Sequence, residues 1–352
     1  ARNVPTPAPA SVCFLPHLPG SPAAWGQAGI VVAPKERQLL ARPTLKPLDL
    51  EQLKDLAFTG LGAWYLDGFV EALREVEPSS TELWGVYVGQ ELRAVLPLRI
   101  RRRRAVVPVL AQYWGLYPAA SPDGAAGKTE SRWDALVGSV DEFLTRRGVI
   151  EARLIHPPVV VDARPFIQRG WRVTPRYTYV VESADPRDYD SATRRQLKKA
   201  RGLGLEVRRG GGIAGLDGFY RRAMRRAGLP VASRELVKTL ARRGEVIEAR
   251  RCDGSLSAAL LLVEDEVAGY YALAGRDPEG RGDGAPTLLV HHVMEHLAVE
   301  GRGLDFVGAN TPAICRFKRG FGGRLVPHLM THKVFRPTLR LTRRLVGLLR
   351  HG

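Results

Sequence analysis

Toward the end of the chain, Phe317-Lys318-Arg319-Gly320-Phe321-Gly322-Gly323 places two cations among aromatic residues and three glycines. Glycine permits positive φ and close backbone approach, and the two phenylalanines can anchor the segment in a core. A cation held on such a loop can stabilise the oxyanion that forms when an amine attacks a carbonyl. Taken alone, the residues favour a plainer reading, an ordinary helix-to-strand turn with solvated cations.

A second concentration of charge spans residues 187–226, with twelve Arg or Lys against four Asp or Glu, a local +8. Arg194/Lys198 and Arg195/Lys199 are i,i+4 pairs, so a helix would stack like charges on one face. That arrangement costs stability, which a phosphate partner would relieve; a solvated basic face is the alternative. Gly280-Arg281-Gly282-Asp283-Gly284-Ala285-Pro286 precedes a helical pattern, where backbone N–H groups can hold a diphosphate. A glycine-rich surface loop fits it equally. His292 and His296 share a face of that next helix beside His291, but no third ligand accompanies them, so packing or surface roles and no metal are expected. Cys13, Cys252 and Cys315 are far apart and form no CxxC pair, so neither a zinc site nor a disulfide framework is indicated and a reducing cytoplasm is expected. Neither GxSxG nor HExxH occurs, so hydrolase and zincin chemistry lack support. Gln112, Tyr113, Trp114 and Tyr117 could line an acceptor pocket between domains; for Trp114 a core position is an equal alternative.

These residues must be positioned by a chain of 352 residues, long enough for two cores. Its 53 Lys plus Arg against 36 Asp plus Glu give +17. Such a field favours RNA, an anionic membrane surface or a phosphate-bearing substrate. No run of 18 apolar residues marks a membrane span. Residues 1–44 form a Pro/Ala-rich extension in which 29–33 could add an edge strand. Helices are predicted at Trp64–Val76 and Ser131–Arg147. Strands are predicted at Glu82–Val88, Leu92–Arg101, Ala105–Trp114, Ile150–His156 and Trp171–Val181. A similar order follows: a basic helix at Ala192–Gly202, helices at Leu216–Ala227 and Arg234–Arg243, an Asp253-Gly254 hairpin, and a strand at Val267–Gly275. A helix at Thr287–Glu300 and strands at Leu304–Val307 and Arg324–Phe335 complete it. The repetition predicts two related α/β (α+β) domains, 45–180 and 181–335, each a mixed sheet flanked by helices. A basic helix covers 336–352, packed on the protein or lying on an anionic surface.

Several segments resemble the Fem-type aminoacyltransferases and their GNAT acyltransferase relatives. They are Trp84–Val88, Leu92–Leu98, Gln112–Gly115 and Arg164–Trp171 in the first half. In the second they are Arg194–Ala200 leading to Gly204–Val207, Tyr270–Gly275, Gly303–Ala309 and Phe317–Gly323. Together they cover roughly residues 50 to 335. The resemblance implies two tandem GNAT-like domains, and transfer of an acyl or aminoacyl group from an activated ester to an acceptor amine. It implies Lys318 as the catalytic cation, with Asp305 orienting the site or holding the loop. Gln112, Tyr113, Trp114, Tyr270, Tyr271, Phe317 and Arg319 become substrate-binding candidates, and Arg194, Arg195, Lys198 and Lys199 a polyanion contact. Ordinary GNAT enzymes hold the CoA diphosphate with Q/R-x-x-G-x-G/A. Arg281 and Gly284 fit that spacing, but Pro286 replaces the last Gly or Ala and Asp283 adds a negative charge. Charged tRNA is therefore the favoured co-substrate and acyl-CoA the alternative, with no bound cofactor and no DNA partner. Peptidoglycan precursors, a polysaccharide sugar amine or a specialised metabolite could be the acceptor. A catalytically silent module that binds RNA or membrane is the rival from another class. The expected location is cytoplasmic, with peripheral membrane contact as an extension of the charge argument.

Overall fold

The computed structural model describes residues 42–54, 62–119, 126–280 and 282–335. The expected extension through residue 41, the basic helix from 336 and Arg281 lie outside the described residues.

The first half runs β1 (Thr44–Pro47), α1 (Leu50–Lys54), α2 (Ala63–Leu66), α3 (Gly68–Val76), β2 (Thr81–Val88), β3 (Glu91–Arg101), β4 (Arg104–Ala105) and β5 (Tyr117–Pro118). It continues with α4 (Ala126–Arg146), β6 (Glu151–Ile155), α5 (Arg164–Gln168) and β7 (Arg172–Val181). After one 3-10 turn come α6 (Ser191–Gly202), β8 (Glu206–Arg208), α7 (Ile213–Arg226), α8 (Arg234–Ala241), β9 (Glu245–Arg250) and β10 (Leu256–Glu264). The chain closes with β11 (Ala268–Arg276), α9 (Ala285–Val299), β12 (Gly303–Asp305), α10 (Pro312–Arg319) and β13 (Arg324–Val334).

The strands follow one mixed path, β1-β2-β3-β4-β6-β13-β7-β12-β11-β10-β9-β8, with β5 on β3. Among the described residues, β4–β6 and β11–β12 are the parallel pairs. The last strand, β13, lies between β6 and β7 and is antiparallel to both. β12 then joins β7 to β11. The sheet is thus continuous where the two halves meet, a connection that local patterns do not encode.

Local chemistry accounts for the element ends. Asp190 and Ser233 cap α6 and α8 by accepting from Thr193 N and Leu236 N at 2.7 and 3.1 Å. The expected helix at Trp64–Val76 is instead two helices. Asp67 interrupts it, and its carboxylate accepts from Gly68 N to start α3. α3 buries Phe69, Val70, Ala72 and Leu73 in a cluster with Leu236, Val237 and Leu240 of α8. Each large side chain buried there contributes about 1.5–3 kcal/mol. The expected strand Ala105–Trp114 is also corrected. Only Arg104–Ala105 is a strand, and Trp114 makes an isolated bridge to Ile155. Pro108 cannot donate to a ladder, and Leu110 adopts a φ of 74°. This irregular stretch lies across the cluster that includes Tyr113, Trp114, Val307 and Tyr270.

Candidate functional site

Asp305 ends β12 and is fully buried. Its carboxylate accepts from Thr178 Oγ1 at 2.6 Å, Val307 N at 2.7 Å and Tyr113 OH at 2.8 Å. Burial raises its pKa, and these three hydrogen bonds with the nearby Lys318 charge oppose the rise. Burial, followed by the Asp305 charge, holds the Tyr113 hydroxyl well above its ordinary range, so tyrosine is the donor of that bond.

Past Asp305 the backbone turns sharply, with φ of 45° at Val307 and 115° at Gly308. Positive φ is costly for a β-branched residue such as valine. The Asp305 bond to Val307 N and the Thr178 Oγ1 bond from Gly308 N at 3.1 Å hold the turn. The turn aims two carbonyls at Lys318, whose Nζ donates to Phe306 O and Gly308 O at 2.6 Å each. The ammonium also lies 5.5 and 5.7 Å from the ring centroids of Tyr271 and Phe306. Burial lowers its pKa to about 8, against the pull of Asp305. Lys318 and Asp305 therefore communicate through the 305–308 backbone.

Lys318 was expected on a glycine-bounded loop. It sits instead in the last turn of α10, and the glycines follow it. Their function is close approach: a Cβ on Gly320 would meet Thr193 Oγ1, and one on Gly322 would meet the Asp188 carbonyl. The glycine segment thereby lies against the start of α6. Phe321 is fully buried and packs edge-on to Phe317 at 5.3 Å.

Other candidates converge in part. The Gln112 side-chain oxygen lies 3.0 Å from where a Gly308 Cβ would stand, which places Gln112 beside the turn. Tyr270 is buried and donates to Asp265 at 2.7 Å while accepting from Gly62 N at 2.9 Å. Tyr65 contacts both Tyr113 and Tyr270 edge-on, at 5.5 and 5.9 Å. Trp114 packs edge-on to Phe69 at 6.0 Å in the same core. Arg319 is exposed on α10, apart from the buried Lys318. Thr178 was not singled out in the sequence; the pairing of β7 with β12 is what brings it to the Asp305 carboxylate.

Arg194, Arg195, Lys198 and Lys199 are all exposed on α6. Arg194 is also tied to its own chain, donating to Tyr189 O at 2.7 Å and Arg187 O at 3.2 Å. Lys199 Nζ lies 3.9 Å from where a Gly282 Cβ would stand, so the basic face borders the glycine-rich segment before α9. At that helix start Asp283 Oδ1 accepts from Ala285 N at 3.0 Å, while Oδ2 accepts from Ser257 Oγ and pairs with Arg251 at 3.5 Å. Pro286 has no N–H to offer. On α9, His291 is engaged by the Tyr189 hydroxyl and Arg201 at 2.9 and 2.8 Å. Among the described residues no helix is long and apolar enough to cross a membrane.

Residues 187–319 match the family model described as an acetyltransferase (GNAT) domain. No curated protein matches the chain in sequence. In structure the chain is similar to FemX, with a TM-score of 0.59 and 13% identity over 84% of this chain and 99% of that one. The fold is of Fem type. A similar likeness extends to L-PGS from Bacillus licheniformis, with a TM-score of 0.53 and 11% identity, covering 86% of this chain and 98% of that one. A conserved protein from Bacteroides thetaiotaomicron VPI-5482 gives 0.52 and 9%, covering 83% and 99%. In this Fem-type fold the matched GNAT domain carries α6, the start of α9, the 305–308 turn and Lys318. The matched domain supports acyl transfer as the class of chemistry.

Proposed function

We propose that the protein transfers an aminoacyl group from a charged tRNA to an acceptor amine. The observation that carries this reading is the buried Lys318 ammonium. An ammonium has three protons, and two are committed to Phe306 O and Gly308 O. The third is free for an oxyanion. With a pKa of about 8, Lys318 remains mostly charged at neutral pH.

The acceptor amine attacks the ester carbonyl of the donor, and the carbonyl oxygen becomes an oxyanion beside Lys318. Collapse expels the ribose hydroxyl oxygen, which takes up a proton as the amine loses one, and an amide results. No covalent enzyme intermediate is required. Holding both reactants together beside Lys318 supplies much of the rate. Asp305 acts as a positioning residue, fixing the turn whose carbonyls hold Lys318.

Asp283 supports tRNA over CoA as donor. Its carboxylate occupies the first available N–H of α9, and the adjacent proline removes the next. A diphosphate would meet a negative charge there. The exposed Arg195, Lys198 and Lys199 offer a phosphate-backbone contact nearby. The acetyltransferase description of the matched domain favours acyl-CoA as the second reading. Equilibrium binding of a charged tRNA and of acetyl-CoA to the same preparation decides between them. Tight acetyl-CoA binding with none to tRNA would overturn the proposal.

A further inference from the structure

The face of the sheet that carries Asp305 continues across β7 and β13. Arg176 and Thr178 alternate on β7, so they share a face. Thr178 Oγ1 reaches Asp305. Arg176 pairs directly with His328 of β13, which places neighbouring Cβ atoms about 5 Å apart. Two positions on, Met330 pairs with Ile155, and Ile155 with Trp114. Trp114 and Ile155 exchange backbone hydrogen bonds of 2.6 and 3.0 Å. Arg176, His328 and Trp114 therefore stand on one face. Tyr113 covers it, with its ring 5.2 Å from that of His328.

All three residues hold unpartnered polar atoms there. Trp114 Nε1, Arg176 Nε and both ring nitrogens of His328 are buried without a hydrogen-bond partner among the described residues. Trp114 and His328 are each 1% exposed. No carboxylate among the described residues pairs with Arg176. Buried polar groups in folded proteins are nearly always hydrogen-bonded, so a coincidence of three such side chains points to a ligand.

We propose that Arg176, His328 and Trp114 bind a single carboxylate of the acceptor, making the acceptor an amino acid or a peptide with a free carboxylate. Indole and guanidinium N–H groups only donate, and a neutral imidazole adds one more donor. Burial and the Arg176 charge hold the His328 pKa down to about 4, so the ring is neutral at pH 7. The trio thus carries one positive charge, which balances one negative charge. A phosphate dianion would leave surplus charge in a buried place. Tyr113 spans from the His328 ring to the Asp305 carboxylate, so a small acceptor held here lies one side chain from the buried acid. This inference rests on the proposed transferase reading, with this face of the sheet as its acceptor side.

The test titrates the full chain with N-acetylglycine, N-acetylglycinamide and inorganic phosphate. The readout is the indole N–H resonance of Trp114, assigned by its loss in Trp114→Phe. N-acetylglycine should shift that resonance, the amide should not, and phosphate should bind more weakly. Arg176→Gln should weaken N-acetylglycine binding about tenfold or more. Should that variant fail to fold, N-acetylglycine affinity of Trp114→Phe, which keeps an aromatic ring, is measured by calorimetry and should fall severalfold. Equal response to the amide, tighter binding of phosphate, or unchanged affinity in either folded variant overturns the proposal. Lys318→Met should retain the carboxylate response. Retained turnover in that variant would therefore refute the catalytic role without touching this site, and a lost response would refute this site alone.

Discussion

The Tyr113 hydroxyl donates to the Asp305 carboxylate at 2.8 Å, across 192 positions of sequence. One bond thereby ties the irregular stretch after β4 to the turn that holds Lys318. Each end is fully buried, and the chemistry of the site depends on that contact and its neighbours.

Lys318→Met tests the cation itself. Turnover should fall roughly a hundredfold or more, the usual cost of removing one oxyanion donor, with donor and acceptor affinities unchanged. The variant also strands the carbonyls of Phe306 and Gly308, so stability should drop by about 1–3 kcal/mol per buried acceptor. Single-turnover rates measured well below the melting temperature separate the two losses. Near-normal turnover would assign Lys318 to structure alone.

The same lysine predicts a pH dependence of stability. Its folded pKa of about 8 lies below the ordinary 10.5. Between those values the unfolded chain binds a proton that the folded chain has released, so stability rises with pH. From pH 8 to 9.5 this group should add about 1.5 kcal/mol. Urea midpoints of the wild type relative to Lys318→Met at both pH values read the difference. A flat difference would place the lysine in a better-hydrated setting.

Asp305→Asn removes the one carboxylate that raises the Lys318 pKa. Lys318 should then lose its proton at a lower pH, and any alkaline decline in turnover should move down with it. The ¹³Cε resonance of labelled Lys318, followed through a pH titration, checks the shift. An unmoved midpoint would mean that the Asp305 charge does not reach the lysine.

The basic face of α6 predicts salt-sensitive binding. Arg194 is spared because its guanidinium holds the carbonyls of Arg187 and Tyr189. Changing Arg195, Lys198 and Lys199 to Gln should weaken tRNA affinity and flatten its salt dependence, by about one unit of slope for each phosphate no longer neutralised. Filter binding over a salt series measures both. An unchanged slope would mark the face as solvated.

What the sequence revealed follows the range of the forces involved. The hairpin of β9 and β10 was legible because Asp253-Gly254 fixes it locally, and the basic helix because its i,i+4 charge pairs lie within a single segment. Lys318 was legible through its resemblance to a family segment, yet its helix was not. α10 has eight residues, too few for a helical period to stand out beside the glycines that follow. The expected helix across Asp67 failed because a side chain that bonds the next backbone N–H competes with the helix. Arg176 and His328 carried no signal at all: only the register of β7 with β13 makes them neighbours, and register is a property of the assembled sheet.

The position of β13 has a consequence for how the chain is made. β6 and β7 emerge from the ribosome long before residue 324, and each then offers an open edge toward the gap that β13 will fill. The first half cannot complete its sheet until residues 324–334 have emerged, since that strand joins β6 to β7. Such late, long-range pairing is slow, and it exposes intermediates to misassembly. Truncation within 324–334 would undo both sides of that seam together, so the arrival of this strand is the moment at which the sheet first becomes continuous.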